Sequence, residues 1–115
     1  MATEIEMQAV VAEAVFSAAH LLEIPDQILS QILSPNSDKN LDDIVLTYQS
    51  DSYNNALLFI RVFDSLYAIV GNKKTASEWL RSHNTGLGNV PIKMINTNDG
   101  LVKVVAYLDA FRAKV

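Results

Sequence analysis

The residue types that carry chemistry are sparse in this 115-residue chain and are not grouped as a reaction centre. There is no cysteine, and the two histidines, His20 and His83, do not stand in a set with metal-ligand spacing, so no metal site is expected. Asp42 and Asp43 would suit acid–base work, but neighbouring residues of a helix point in different directions, and an acidic pair in a first turn is accounted for by the helix dipole. Gly86-Leu87-Gly88 is too short for a phosphate or dinucleotide loop and follows no strand pattern, so it reads as a turn. No nucleophile signature with Ser, His and Asp stands out. The chain therefore reads as a binding protein, not an enzyme, and needs no cofactor.

Charge is more informative than chemistry. The net charge is −4, but residues 1–60 hold nine acids against the single base Lys39, and residues 61–115 hold eight bases against four acids. The halves thus carry −8 and +4. The acidic half repels phosphate, and the basic half favours an acidic protein surface. A composition that is 50% hydrophobic, with four glycines and three prolines, is that of one globular unit. The first residues lack a basic leader, and no apolar run is long enough to span a bilayer, so a cytoplasmic location is expected.

The elements that position these residues are all helical in pattern. Thr3 and Glu6 have the spacing of a capping box, and two stripes follow, Ile5, Ala9, Ala12, Phe16, Ala19 and Val11, Val15, Ala18, Leu22. The spacing predicts a first helix with a wide buried face at the centre of the fold. Pro25 opens a second helix with Ile28, Leu29, Ile32 and Leu33 inside, and Pro35 closes it. Leu41, Ile44, Val45 and Tyr48 predict a short third helix capped by Asn40. A long core helix runs from Tyr53 to Val70, ended by Gly71-Asn72, and a capping box of Thr75 and Glu78 starts a short helix with Trp79 and Leu80. After a loop from His83 to Asn89, Pro91 opens one turn with Ile92, Met94 and Ile95. Thr97 or Asn98 then caps a last helix with the stripe Leu101, Val104, Val105, Leu108 and Phe111, and Asp99 and Lys103 form an i,i+4 pair on it. The expected fold is an all-α compact bundle of six to seven helices.

Residues 79–108 contain Trp79-Leu80, Asn84, Leu87-Gly88, Pro91, Met94, Thr97, Gly100, Val104 or Val105, and Leu108. In order and spacing this resembles the toxin-binding domain of the Xre/MbcA/ParS antitoxins. Each position also has a physical role: Trp79 anchors the core, Gly88 permits positive φ, Pro91 starts a turn and Thr97 caps a helix. The resemblance implies two parts within one unit, residues 1–52 as a degenerate Xre-like helix-turn-helix and dimerisation part, and residues 53–115 as the toxin-binding part. The recognition helix of such a motif would fall near Asn40 to Tyr48, which has no Arg or Lys to meet phosphate or guanine, and this argues against DNA binding.

As an antitoxin of a type II toxin–antitoxin pair, the protein would neutralise a RES-domain, NAD-consuming toxin by covering its active-site cleft. The residues expected to meet the toxin are Lys103, Tyr107, Phe111, Arg112, Lys114 and Val115. A homodimer formed through apolar faces of the N-terminal half is the expected assembly. The alternative is an Xre-type transcriptional regulator without a toxin partner.

Overall fold

A computed structural model describes residues 2–114 of the chain. Six α-helices follow in order: α1 (Glu4–Leu21), α2 (Asp26–Leu33), α3 (Asp51–Val70), α4 (Lys73–Arg81), α5 (Pro91–Met94) and α6 (Asn98–Arg112). A single 3-10 turn at Leu41–Asp43 lies between α2 and α3. The all-α bundle is as expected, and among the described residues the one strand-like pairing is the isolated bridge between Asn84 and Asn89.

The centre of the bundle is α3, not α1. It packs against α1, α2, α4 and α6, and buries Tyr53, Ala56, Phe59, Val62 and Leu66 at three- and four-residue spacing. Its first turn is capped by the Ser50 hydroxyl, which accepts from the Tyr53 N–H, and it ends on Gly71 at φ +83°, a left-handed position that glycine occupies without strain. At 20 residues it is also longer than α1, with 18.

In α1 the capping box forms with a changed closure. The Thr3 hydroxyl accepts from the Glu6 N–H and donates to the Glu6 carboxylate, both at 3.1 Å. One stripe is buried whole and the other only in part: Val11, Val15, Ala18 and Leu22 of the second face the core together with Ala19 of the first, and Ala12 of the first packs against it. Ile5 (78% exposed), Ala9 and Phe16 (44%) look outward. A central helix would be packed by helices all round, whereas α1 has α3 as its main helical neighbour and meets only the 3-10 turn and extended segment along another edge.

The predicted third helix is absent. Its place is taken by the 3-10 turn at Leu41–Asp43, after which the chain is extended at Ile44 (φ −88°, ψ 122°), and Asn40 makes no side-chain cap. Helix here would require the Tyr48 N–H to reach back four residues; instead it donates to the Gln8 side-chain oxygen at 2.8 Å, tying this segment to α1. The β-branched run Ile44, Val45 and Thr47 also lowers helix propensity.

The start of α4 differs as well. Asn72, rather than Thr75, is its N-cap, accepting from the Thr75 N–H at 2.8 Å. Arg81 at the other end anchors α4 to the α1–α2 corner, donating to the carbonyls of Leu22 (3.1 Å) and Glu23 (2.6 Å) and to the Ser77 hydroxyl (2.6 Å). Glu23 reaches this arrangement at φ +57°.

Asn55 joins three helices from the interior. It is 4% exposed, donates to the Leu33 carbonyl at the end of α2 (3.4 Å), and accepts from the Asn98 amide at the start of α6 (3.1 Å). The hydrophobic core draws residues from both sides of position 52, from Val15 and Leu29 to Leu101 and Leu108.

Candidate functional site

The motif residues build one corner of the molecule. Asn84 organises the loop after α4: its N–H donates to Asn89 O (3.0 Å), its carbonyl accepts from Gly88 (2.8 Å), and its side-chain oxygen accepts from Leu87 (2.9 Å). Gly88 takes φ +75°, as expected. Pro91 is buried at the first turn of α5, and Leu87 packs on the core from above.

At the α5–α6 corner Thr97 caps α6, accepting from the Gly100 N–H at 3.1 Å and donating to Met94 O at 3.3 Å. Gly100 is buried, and a Cβ there would run into the Met94 carbonyl oxygen, so the close approach of the two helices requires glycine. Thr97 is therefore the cap, and Asn98 is free to bond Asn55.

Trp79 departs from its expected role as a core anchor. The fully buried residue at this point is Leu80, and Trp79 is half-buried at the rim, stacked on Tyr107 with ring centroids 6.3 Å apart at 24°. Tyr107 in turn contacts Phe111 at 4.9 Å. The three rings form a ladder across α4 and α6. The loop covers its middle step, since a Cβ on Gly86 would lie 2.7 Å from the Tyr107 ring.

The residues expected to meet a partner divide between two flanks of α6. Lys103, Tyr107 and Phe111 follow at four-residue spacing and share one flank, where Lys103 is exposed and Phe111 is 47% exposed. Phe111 thus leaves the buried stripe on which the periodicity placed it, since Leu108 is the last buried residue of α6 and the helix ends at Arg112. Arg112 lies on the opposite flank, in a shallow recess with Arg61, Asp109 and Ala113. Lys114 is exposed beyond the helix, and Val115 lies outside the described residues.

Among the described residues the ion pair formed is Arg61–Asp109 at 2.7 Å, not Asp99–Lys103. Its consequence is electrostatic. Asp109, the acid nearest the end of α6, is neutralised by α3, so Lys103, Arg112 and Lys114 dominate the field there.

The residues with catalytic character stay apart. His20 and His83 are exposed on separate elements, Asp42 and Asp43 are exposed on the 3-10 turn rather than in a helix, and among the described residues no three His, Cys, Asp or Glu side chains could hold a metal ion. Sequence reasoning missed Gly86 and Arg81. The Gly-Leu-Gly spelling was a signal for the first, and no local pattern marks the second.

An aromatic ladder flanked by cations at the end of α6 has the make-up of surfaces on which proteins bind one another. Residues 65–114 match the model of the antitoxin Xre/MbcA/ParS C-terminal toxin-binding domain, a stretch that includes residues 79–108. The matched stretch begins in the second half of α3 and contains α4, α5, α6 and the whole ladder. No curated protein matches the chain.

Proposed function

We propose that this protein is an antitoxin of a type II pair that neutralises a RES-domain, NAD-consuming toxin by covering its active-site cleft. The observation that carries the reading is the coincidence of the matched domain with the Trp79–Tyr107–Phe111 ladder and the surrounding cations. Burial of the half-exposed rings supplies affinity, and Lys103, Arg112 and Lys114 steer the surface toward acidic groups of the toxin. The action is steric and non-enzymatic.

The chain acts as a homodimer in the cytoplasm, paired through the apolar outer face of its N-terminal half. Among the described residues no helix is long and apolar enough to cross a membrane. The rival reading, an Xre-type regulator acting through DNA, is disfavoured because a 3-10 turn and extended chain with acidic Asp42 and Asp43 stand where a recognition helix would be.

The test is co-expression with a RES-domain protein encoded beside it. Rescue of growth and a co-purifying complex are expected, and both are lost when Tyr107 and Phe111 are replaced by alanine. Failure of the intact chain to rescue or to bind overturns the reading.

A further inference from the structure

Two polar atoms of the aromatic ladder are left without a partner in the fold. Trp79 and Tyr107 are half-buried and stacked on each other, yet among the described residues neither the indole N–H nor the phenol hydroxyl makes a hydrogen bond. No buried side-chain nitrogen or oxygen there lacks a partner, so these two atoms lie at the wet edge of the stack. The loop after α4 runs along the hydroxyl edge of Tyr107, where a Cβ on Gly86 would lie 3.0 Å from Oη. Its asparagine oxygens are engaged within the loop, those of Asn84 by the Leu87 and Gly88 N–H groups and those of Asn89 by the Asn84 and Val90 N–H groups.

A charged donor stands beside them. Lys103 is exposed one turn before Tyr107 on the same flank, and Asp99, one turn earlier still, forms no ion pair with it. Helical side chains lean toward the N-terminus, so the Tyr107 ring reaches back over the turn that carries Lys103. Glu78, the acid next to Trp79 in sequence, lines a separate recess with Lys73 and Lys74.

We infer that the partner sets a carboxylate on this edge of the ladder, received by the Tyr107 hydroxyl and the Lys103 ammonium, with the Trp79 N–H as a further donor. The inference rests on the reading of the protein as an antitoxin whose ladder the toxin covers, and it adds the chemical group that the ladder selects. Covering the rings strips water from both ring donors. A donor left dry and unpaired costs more than a neutral hydrogen bond contributes, so the covering surface must bring acceptors. An ionised carboxylate accepts only, has two oxygens to share, and makes charge-assisted bonds about twice as strong as neutral ones. It also gives the Lys103 charge a counter-ion as water leaves. Phe111, with no polar atom, contributes burial alone, whereas Tyr107 and Trp79 discriminate between partners that do and do not present the acid.

The test is titration calorimetry of the RES-domain protein encoded beside it against the intact chain, Tyr107→Phe, Lys103→Met and the double variant. Tyr107→Phe keeps the ring and its contacts and removes only a hydroxyl that the fold does not use, so its melting temperature matches the parent. Each single change is expected to weaken binding roughly tenfold. The double variant loses far less than the roughly hundredfold product, because both donors hold one group.

Full affinity in Tyr107→Phe, beside lost affinity when Tyr107 and Phe111 are both alanine, would show the rings acting by burial alone and overturn the inference with the antitoxin reading intact. Losses that multiply in the double variant would give the donors separate acceptors and overturn the shared carboxylate. A lowered melting temperature in Tyr107→Phe would assign the hydroxyl to the fold and overturn it as well. An intact chain that does not bind overturns the antitoxin reading and this inference together.

Discussion

Gly86 lies against the ring of Tyr107 so closely that an added Cβ would sit 2.7 Å from Cε2. That contact makes the loop after α4 a backing for the aromatic ladder, because Tyr107 is held between Trp79 and Phe111 on its other sides. The replacement Gly86→Ala displaces the ring. Since the phenol end of a half-buried side chain has room to swing, the stability cost is about 1 kcal/mol, at the low end for overpacking. Affinity for the partner falls further, by tenfold or so, about 1.4 kcal/mol. Urea denaturation and titration with the partner, run on one preparation, check the two values.

Gly100→Ala is the contrasting case. The obstacle is the Met94 carbonyl, part of a backbone pinned by the Thr97 cap, and it cannot swing aside. The α5–α6 corner must open, at a cost of about 2–3 kcal/mol. A shift in the urea midpoint without a change in slope is the expected result, and a variant as stable as the parent contradicts the close approach.

Arg81→Lys is not conservative here. The guanidinium spans the carbonyls of Leu22 and Glu23 and the Ser77 hydroxyl, and a single ammonium cannot reproduce that fork. Both Arg81→Lys and Arg81→Ala lose about 1–2 kcal/mol, with lysine recovering less than half of it. Thermal melts of the three proteins side by side measure the ordering.

The Arg61–Asp109 pair contributes little stability despite its 2.7 Å separation. The side chains are 60% and 33% exposed, and pairs so solvated give about 0–1 kcal/mol. Asp109→Asn is thus nearly neutral for folding and leaves one more uncompensated cation by the end of α6. Association with an acidic partner then becomes faster, and the gain disappears at high salt, which stopped-flow mixing at two ionic strengths detects.

The sequence was most readable where a local rule has no competitor. Thr3, Pro91, Thr97 and Gly71 each mark a helix end through their own backbone or hydroxyl, and the structure uses them so. Thr75 failed because Asn72, equally able to cap, stands one turn earlier. Leu41 to Tyr48 failed because periodicity ignores what else can satisfy an N–H, and Gln8, forty residues away, takes the one at Tyr48.

In the candidate site, the motif from Trp79 to Gly100 was legible, but the exposure of its residues was not. Whether Trp79 is core or rim depends on where α4 sits in the bundle, and Arg81 ties α4 to the Leu22–Glu23 corner while Trp79 stacks on Tyr107, both contacts distant in sequence. Similarly, a list of tail residues cannot say that Arg112 turns away from Tyr107.

Asn55 has a bearing on how long the molecule lasts in a cell. Its carboxamide couples the end of α2 to the beginning of α6, so neither helix can peel away without stranding a buried amide. A housekeeping protease that starts from the end of α2 or the beginning of α6 must therefore wait for this junction to open, and cleavage there follows the frequency of that opening. Asn55→Ala uncouples those helices, turning a slow clock into a fast one.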